Sequence, residues 1–171
     1  NEKWPQQEKN FAAMITRLDS GIGQLMALLK ELKLDDNTLV IFTSDNGPQN
    51  EGGHKSDFFD SNGALRGIKR DLYEGGIRVP AIMRWPGKIP AGQVVHEPAM
   101  TIDVLPTMAR LIGAELPKDL VLDGKDIWPL VTARDGAKSP HDALYFFWNR
   151  ELQAVRSGRW KLHLPHTYPS M

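Results

Sequence analysis

Three groups of residues have types and spacings that could do chemistry. Asp45-Asn46-Gly47 follows directly on the β-branched and aromatic run 38–43 and sets a carboxylate beside an amide carbonyl. Hard oxygen donors of this kind suit calcium or magnesium better than zinc or copper. Calcium takes about six to eight oxygens, so Asp45 and Asn46 would be two ligands of a metal site completed from elsewhere. The same triplet is equally a turn, and on spacing alone the turn is the simpler reading. Lys69 lies in Leu65-Arg66-Gly67-Ile68-Lys69-Arg70, where an ammonium could neutralise a tetrahedral oxyanion and Gly67 would let backbone approach it. The alternative is a solvated basic run, and the glycine–lysine spacing is not that of a P-loop. Of the five histidines only His54 falls in the polar stretch between these groups, where it could transfer a proton or contact a substrate, or be an ordinary loop histidine. Glu74-Gly75-Gly76-Ile77-Arg78 reads as a turn, with Glu74 as a hydrogen-bonding group and the two glycines supplying unusual backbone angles.

Composition removes several alternatives. The 171 residues include 21 Lys plus Arg and 21 Asp plus Glu, so there is no global basic field for nucleic acid or anionic lipid, and any anion site must be local. The absence of cysteine excludes disulfides, thiolate nucleophiles and zinc fingers, and no histidine belongs to an H-E-x-x-H pattern. No apolar run is long enough for a transmembrane helix, residues 1–10 are polar without a signal-peptide core, and the first residue reads as a cut.

The elements that must position these groups follow from periodicity. Phe11, Ile15, Leu18, Ile22, Leu25, Leu29 and Leu32 recur at spacings of four and three and predict an amphipathic helix; Gly21 and Gly23 within it suggest a close helix-to-sheet contact. After the turn Asp35-Asp36-Asn37, residues 38–43 predict a strand buried on both faces. Residues 44–67 form a long polar loop of the kind that carries function. Residues 79–83 predict a second strand with Pro80 at its start or edge, and Ile102 to Ile112 a second helix capped by Gly113. Residues 143–148, 153–156 and 160–164, separated by turn residues, predict an antiparallel meander.

Read in order, Thr38-Leu-Val-Ile-Phe-Thr-Ser-Asp-Asn-Gly47 and Leu65-Arg-Gly-Ile-Lys-Arg-Asp-Leu-Tyr-Glu-Gly-Gly-Ile-Arg-Val-Pro80 resemble the sulfatase family of the alkaline phosphatase superfamily. Trp85-Pro86-Gly87, Asp103-Val-Leu-Pro-Thr107 and Asp123-Gly124 follow at the same order and separation, so the resemblance covers nearly the whole chain. Phe58-Phe-Asp-Ser-Asn-Gly63 is similar more particularly to bacterial arylsulfatases and N-acetylgalactosamine-6-sulfatase-like proteins.

The resemblance implies an α/β fold: residues 1–136 as the carboxyl-terminal portion of a mixed sheet with flanking helices, and 137–171 as the start of a small antiparallel β subdomain. It implies a calcium-dependent sulfuric ester hydrolase acting on a sulfated small molecule or glycan, in which Asp45 and Asn46 hold calcium and Lys69 contacts the substrate sulfate. The family's nucleophile is a formylglycine made from Cys or Ser in a C-x-P-x-R type signature. Neither version occurs here, so the chain is expected to supply metal and sulfate contacts, to need the amino-terminal half of a sulfatase, and to be inactive alone. A periplasmic or secreted location is implied, and self-association through an exposed sheet edge is expected of such a piece. The alternatives are a phosphoric ester hydrolase of the same superfamily and a non-catalytic binding module.

Overall fold

The computed structural model describes residues 3–167. They form two compact units, one of residues 3–85 with 165–167 and the other of Pro86–Leu164.

In the first unit, helix α1 (Gln6–Glu31) starts directly after Pro5, a turn earlier than the apolar periodicity indicates, and ends with the Leu32 N–H bonded to the Leu28 carbonyl. Strand β1 (Val40–Thr43) pairs antiparallel with β2 (Ala81–Arg84), Val40 opposite Arg84 and Thr43 opposite Ala81. The shift of β2 beyond residues 79–80 follows from Pro80: it has no N–H for the ladder, and its carbonyl accepts from Thr43 Oγ1 at 2.9 Å. A bidentate pair, Arg84 to Asp35 at 2.7 and 2.8 Å, ties the end of β2 to the turn between α1 and β1. It holds the Asp35 carboxyl below its ordinary value, chiefly by that hydrogen bond. Between the strands runs the long loop, closed by the one-turn helix α2 (Glu74–Ile77).

Two expectations for this unit need correcting. β1 is not buried on both faces: Phe42 is exposed, as is Ile82 opposite it in β2, because among the described residues the sheet has two strands and no full cover. Nor do Gly21 and Gly23 mark a close helix-to-sheet contact, since a Cβ built at either meets nothing. The apolar stripe of α1 is largely open, with Ile15, Leu18, Leu25 and Leu32 exposed.

In the second unit, α3 (Val104–Ile112) ends at Gly113, whose φ of +68° gives the expected left-handed cap. Pro106 lies in its first turn, where no helical N–H partner is lost. The short helix α4 (Trp128–Val131) follows, then β3 (Leu144–Trp148), β4 (Glu151–Ser157) and β5 (Trp160–His163) in an antiparallel meander, with a register shift at Phe146/Phe147. Ala109, Ile127, Leu130, Leu144 and Ala154 are its buried apolar residues.

A polar hub organises this unit. The Asp103 carboxylate is fully buried and accepts from the Met100 N–H (2.7 Å), the Lys125 N–H (2.8 Å) and His141 Nε2 (2.8 Å). Thr107 Oγ1 donates to the Asp103 carbonyl at 2.6 Å and accepts from the Ile127 N–H at 3.0 Å. Gly124 packs against the Ile102 carbonyl so closely that a Cβ would collide with it. The Asp103–Thr107 and Asp123-Gly124 blocks are therefore two sides of one junction.

Candidate functional site

Asp45 and Asn46 lie just past the carboxyl end of β1, Asp45 exposed and Asn46 half-buried. Ser44 Oγ donates to the Asn46 carbonyl at 2.8 Å and fixes the turn. Asn46 Nδ2 donates to the Gly47 carbonyl at 2.8 Å, which occupies the amide nitrogen and leaves Oδ1 as its uncommitted oxygen. The Asp45 carboxylate makes no hydrogen bond or ion pair among the described residues. Two consecutive hard oxygens are thus available, the donor chemistry a calcium ion requires. They are not a complete site, since no group of three or more His, Cys, Asp or Glu able to hold a metal exists among the described residues.

This turn is stitched to the segment bearing Lys69. The Gly47 N–H donates to the Gly76 carbonyl at 2.9 Å, the Lys69 N–H to the Pro48 carbonyl at 2.7 Å, and the Gly75 N–H to the Arg66 carbonyl at 2.7 Å. Such bonds need the backbones in near contact. A Cβ on Gly47 would collide with the Gly75 carbonyl, and one on Gly75 with the Gly67 carbonyl. Gly75 and Gly76 therefore serve close approach within α2, correcting the expectation of unusual backbone angles at a turn; neither has positive φ.

The Lys69 ammonium is partly open to solvent and lies against Glu51, 3.1 Å from Oε1. Arg70, its neighbour, reaches the same oxygen at 2.8 Å. Glu51 and Arg70 were not singled out by the sequence, because a glutamate in a polar loop and an arginine in a basic run carry no spacing signal. Arg70 does carry a backbone signal, a φ of +83° in the region glycine adopts freely.

His54 is 4% exposed. Its Nδ1 is 2.5 Å from Glu8 Oε2, and the other Glu8 oxygen accepts the Lys55 N–H at 2.9 Å. The ring stacks on Phe11, one turn along α1, with centroids 3.8 Å apart and 7° between planes. Its Nε2 is buried without a hydrogen-bond partner, as is Ser56 Oγ. The first turns of α1 thus clamp residues 54–55, and Asn50 Oδ1 accepts the Ser56 N–H at 2.7 Å to hold the rest of the loop. Nothing in the sequence pointed to Glu8, forty-six residues away in a helix whose apolar stripe begins later.

An open cavity of about 660 Å³ lies beside the turn, lined among others by Ser44, Asn46, Asn62 and Arg78. Neither Asp45 nor Lys69 lines it. The turn carries two oxygen donors, and the segment bonded to it through the backbone carries two cations, Lys69 and Arg70. Oxygen donors of this kind suit a hard cation and the two cations suit an anionic group, while the chain contains no cysteine.

Comparison with known proteins agrees with the motifs. The family model described as "Sulfatase" matches residues 1–114, and that described as "N-sulphoglucosamine sulphohydrolase, C-terminal" matches residues 67–164. Among curated proteins, steryl-sulfatase of Mus musculus is 46% identical over 157 residues, covering 88% of this chain and 25% of the relative. Arylsulfatase A of Homo sapiens is 42% identical over 162 residues, covering 90% and 30%. Of solved structures, the PsFucS1 sulfatase from Pseudoalteromonas sp. superposes with a TM-score of 0.74 at 37% identity, covering 86% of this chain and 29% of that one. Ps i-CgsB in complex with k-i-k-neocarrahexaose gives a TM-score of 0.78 at 32% identity, covering 94% and 35%. The chain thus spans about a quarter to a third of the length of the proteins it resembles. With a family model over two thirds of its residues, relatives above 40% identity and the expected fold, this chain belongs to the sulfatase family.

Proposed function

We propose that this chain is the carboxyl-terminal part of a calcium-dependent sulfate ester hydrolase, divided near residue 136 between the large α/β domain and the small antiparallel subdomain. Asp45 and Asn46 hold the calcium ion and Lys69 binds the substrate sulfate. One observation supports the reading: the Gly47–Gly76 and Lys69–Pro48 backbone bonds join the turn that carries Asp45 and Asn46 to the segment that carries Lys69. Bound calcium would polarise the sulfuryl oxygens as a Lewis acid.

The chain's own residues orient and neutralise. Asp45 supplies a full negative charge to the cation, and Asn46 supplies a neutral oxygen whose direction is fixed by its bond to the Gly47 carbonyl. Lys69 offers a point charge to an oxygen of the sulfate as charge builds in the transition state. His54, held by Glu8 and Phe11, supports the loop that carries Glu51; a direct substrate contact would require its buried Nε2 to be opened. Bond making falls to a nucleophile from the remainder of a sulfatase, so the isolated chain turns over no aryl sulfate. Sulfated small molecules or glycans are the substrate class, and the open faces of α1 and β1–β2 are where the rest of a sulfatase, or a second copy, would pack.

The test uses the full-length protein that carries this sequence and a chromogenic aryl sulfate. Turnover is expected to fall with a calcium chelator, to return with calcium, and to drop by about two orders of magnitude in Asp45→Ala, the loss typical of removing one group that stabilises transition-state charge. Chelator-insensitive turnover with wild-type rates in Asp45→Ala contradicts the assignment. Preference for an aryl phosphate points to the phosphoric ester alternative.

A further inference from the structure

The Glu51 carboxylate lies between two cations. Its Oε1 lies 3.1 Å from Lys69 Nζ and 2.8 Å from Arg70 Nη2, and Lys69 Nζ also donates to Oε2 at 3.3 Å. All three side chains are partly open to solvent, at 47% for Glu51, 31% for Lys69 and 51% for Arg70. To an ammonium and a guanidinium, a carboxylate and a sulfate ester look alike: paired anionic oxygens that accept charge-assisted hydrogen bonds. Exposed ion pairs are weakly held, so an incoming anion can take the place of Glu51.

Arg70 is placed there against its backbone preference. Its φ of +83° suits glycine, yet the turn is fixed on both sides, by the Lys69 N–H on the Pro48 carbonyl before it and the Asp71 N–H on the Ile68 carbonyl after it. The Ile68 N–H in turn donates to Asp71 Oδ2 at 2.9 Å. Strained positions of this kind gather at ligand sites. Here the strain brings a second cation onto the oxygen that Lys69 already contacts.

We propose that Lys69 and Arg70 form a two-cation cradle for the substrate's sulfate, with Glu51 as the resting counter-ion that the sulfate displaces. The proposal rests on the reading of Lys69 as a sulfate contact and adds to it a second contact and an internal competitor. Glu51 would then screen ligands by charge, admitting only an anion that binds both cations better than a carboxylate does.

Two substitutions in the full-length protein read this out, with aryl sulfate as substrate and inorganic sulfate as competitive inhibitor. Arg70→Gly removes the guanidinium and leaves a residue that adopts φ +83° freely, so the turn is kept and melting temperature should not fall. It is expected to raise KM and the inhibition constant for sulfate about tenfold, to act more on KM than on kcat, and to flatten the dependence of inhibition on ionic strength. Arg70→Lys should recover part of the loss. Glu51→Gln removes the competitor at equal size and should tighten sulfate inhibition severalfold, the direction opposite to that of a lost structural support.

Sulfate inhibition within about twofold of wild type in both variants, or weaker inhibition in Glu51→Gln, overturns the cradle. Lys69→Ala separates the two layers of the argument. If it abolishes turnover while both variants behave as wild type, the Lys69 contact stands and the cradle falls; if Lys69→Ala is itself without effect, the reading beneath it falls.

Discussion

Glu51 and Asp103 are both carboxylates with several close donors, two hydrogen bonds for the first and three for the second, and they do opposite things. Asp103 is fully buried and takes two backbone N–H groups and His141 from fixed positions. Glu51 is half exposed and takes two flexible cations. The first is bound into its surroundings and has no bond to give up; the second can exchange its partners for a ligand. The units around them differ in the same way. The second unit buries five apolar side chains, whereas among the described residues of the first Leu72 is the buried apolar residue and Glu8, His54, Ser56 and Asp71 are buried with it. The first unit keeps its order through backbone stitching and polar clamps, which leave Lys69, Arg70 and Glu51 partly open to solvent.

The contrast can be broken most sharply at the hub. Asp103→Ala would leave two backbone N–H groups and His141 buried without partners, and a loss of about 3–5 kcal/mol is expected in the chemical unfolding of the chain. Gly124→Ala forces a Cβ into the Ile102 carbonyl and should cost about 1–3 kcal/mol, read as a lower melting temperature. Glu51→Ala, by contrast, is expected to change unfolding free energy by about 1 kcal/mol or less, because its pairs are exposed. A large loss there would make Glu51 a structural residue like Asp103.

The smallest effect concerns acid. Asp35 is held below its ordinary value of 3.8, chiefly by its hydrogen bonds from Arg84. A depressed carboxyl contributes stability that is present above that value and is lost as pH falls through the lowered one. Arg84→Gln should therefore weaken the chain at neutral pH and make its stability less dependent on pH below about 4, as followed by circular dichroism. Glu97, lowered by the Ser139 N–H and then by Lys138, should add a parallel acid-sensitive step in the second unit.

Much of this was legible in the residues. The strand, turn and glycine blocks indicated the order of α1, β1, β2, α3 and the meander, and the Gly113 cap, because each depends on local chemistry; the one-turn helices α2 and α4 carry too few residues to show a period. Asp45, Asn46 and Lys69 could be picked out as candidates, and the structure adds the backbone bonds that join their segments. What the sequence withheld were long-range partners of exposed or ordinary residues. Glu8 meets His54 across forty-six positions, and Glu51 meets Arg70 across nineteen, with no periodicity to announce either. Burial was overestimated for β1 and for the glycine-containing part of α1, since a pattern records which face wants cover and not whether cover is present among these residues. The glycine pair Gly75-Gly76 was noticed for the wrong reason: close backbone approach and unusual φ leave the same mark in a sequence.

The most direct test of the account is turnover of an aryl sulfate by the full-length protein, wild type against Lys69→Ala at equal folded fraction. Loss of about two to three orders of magnitude in kcat/KM, with the melting temperature unchanged, is the expected result, because Lys69 is exposed enough to be dispensable for folding and is proposed to meet charge as it develops. Turnover equal to wild type would contradict the central claim that Lys69 binds the sulfate.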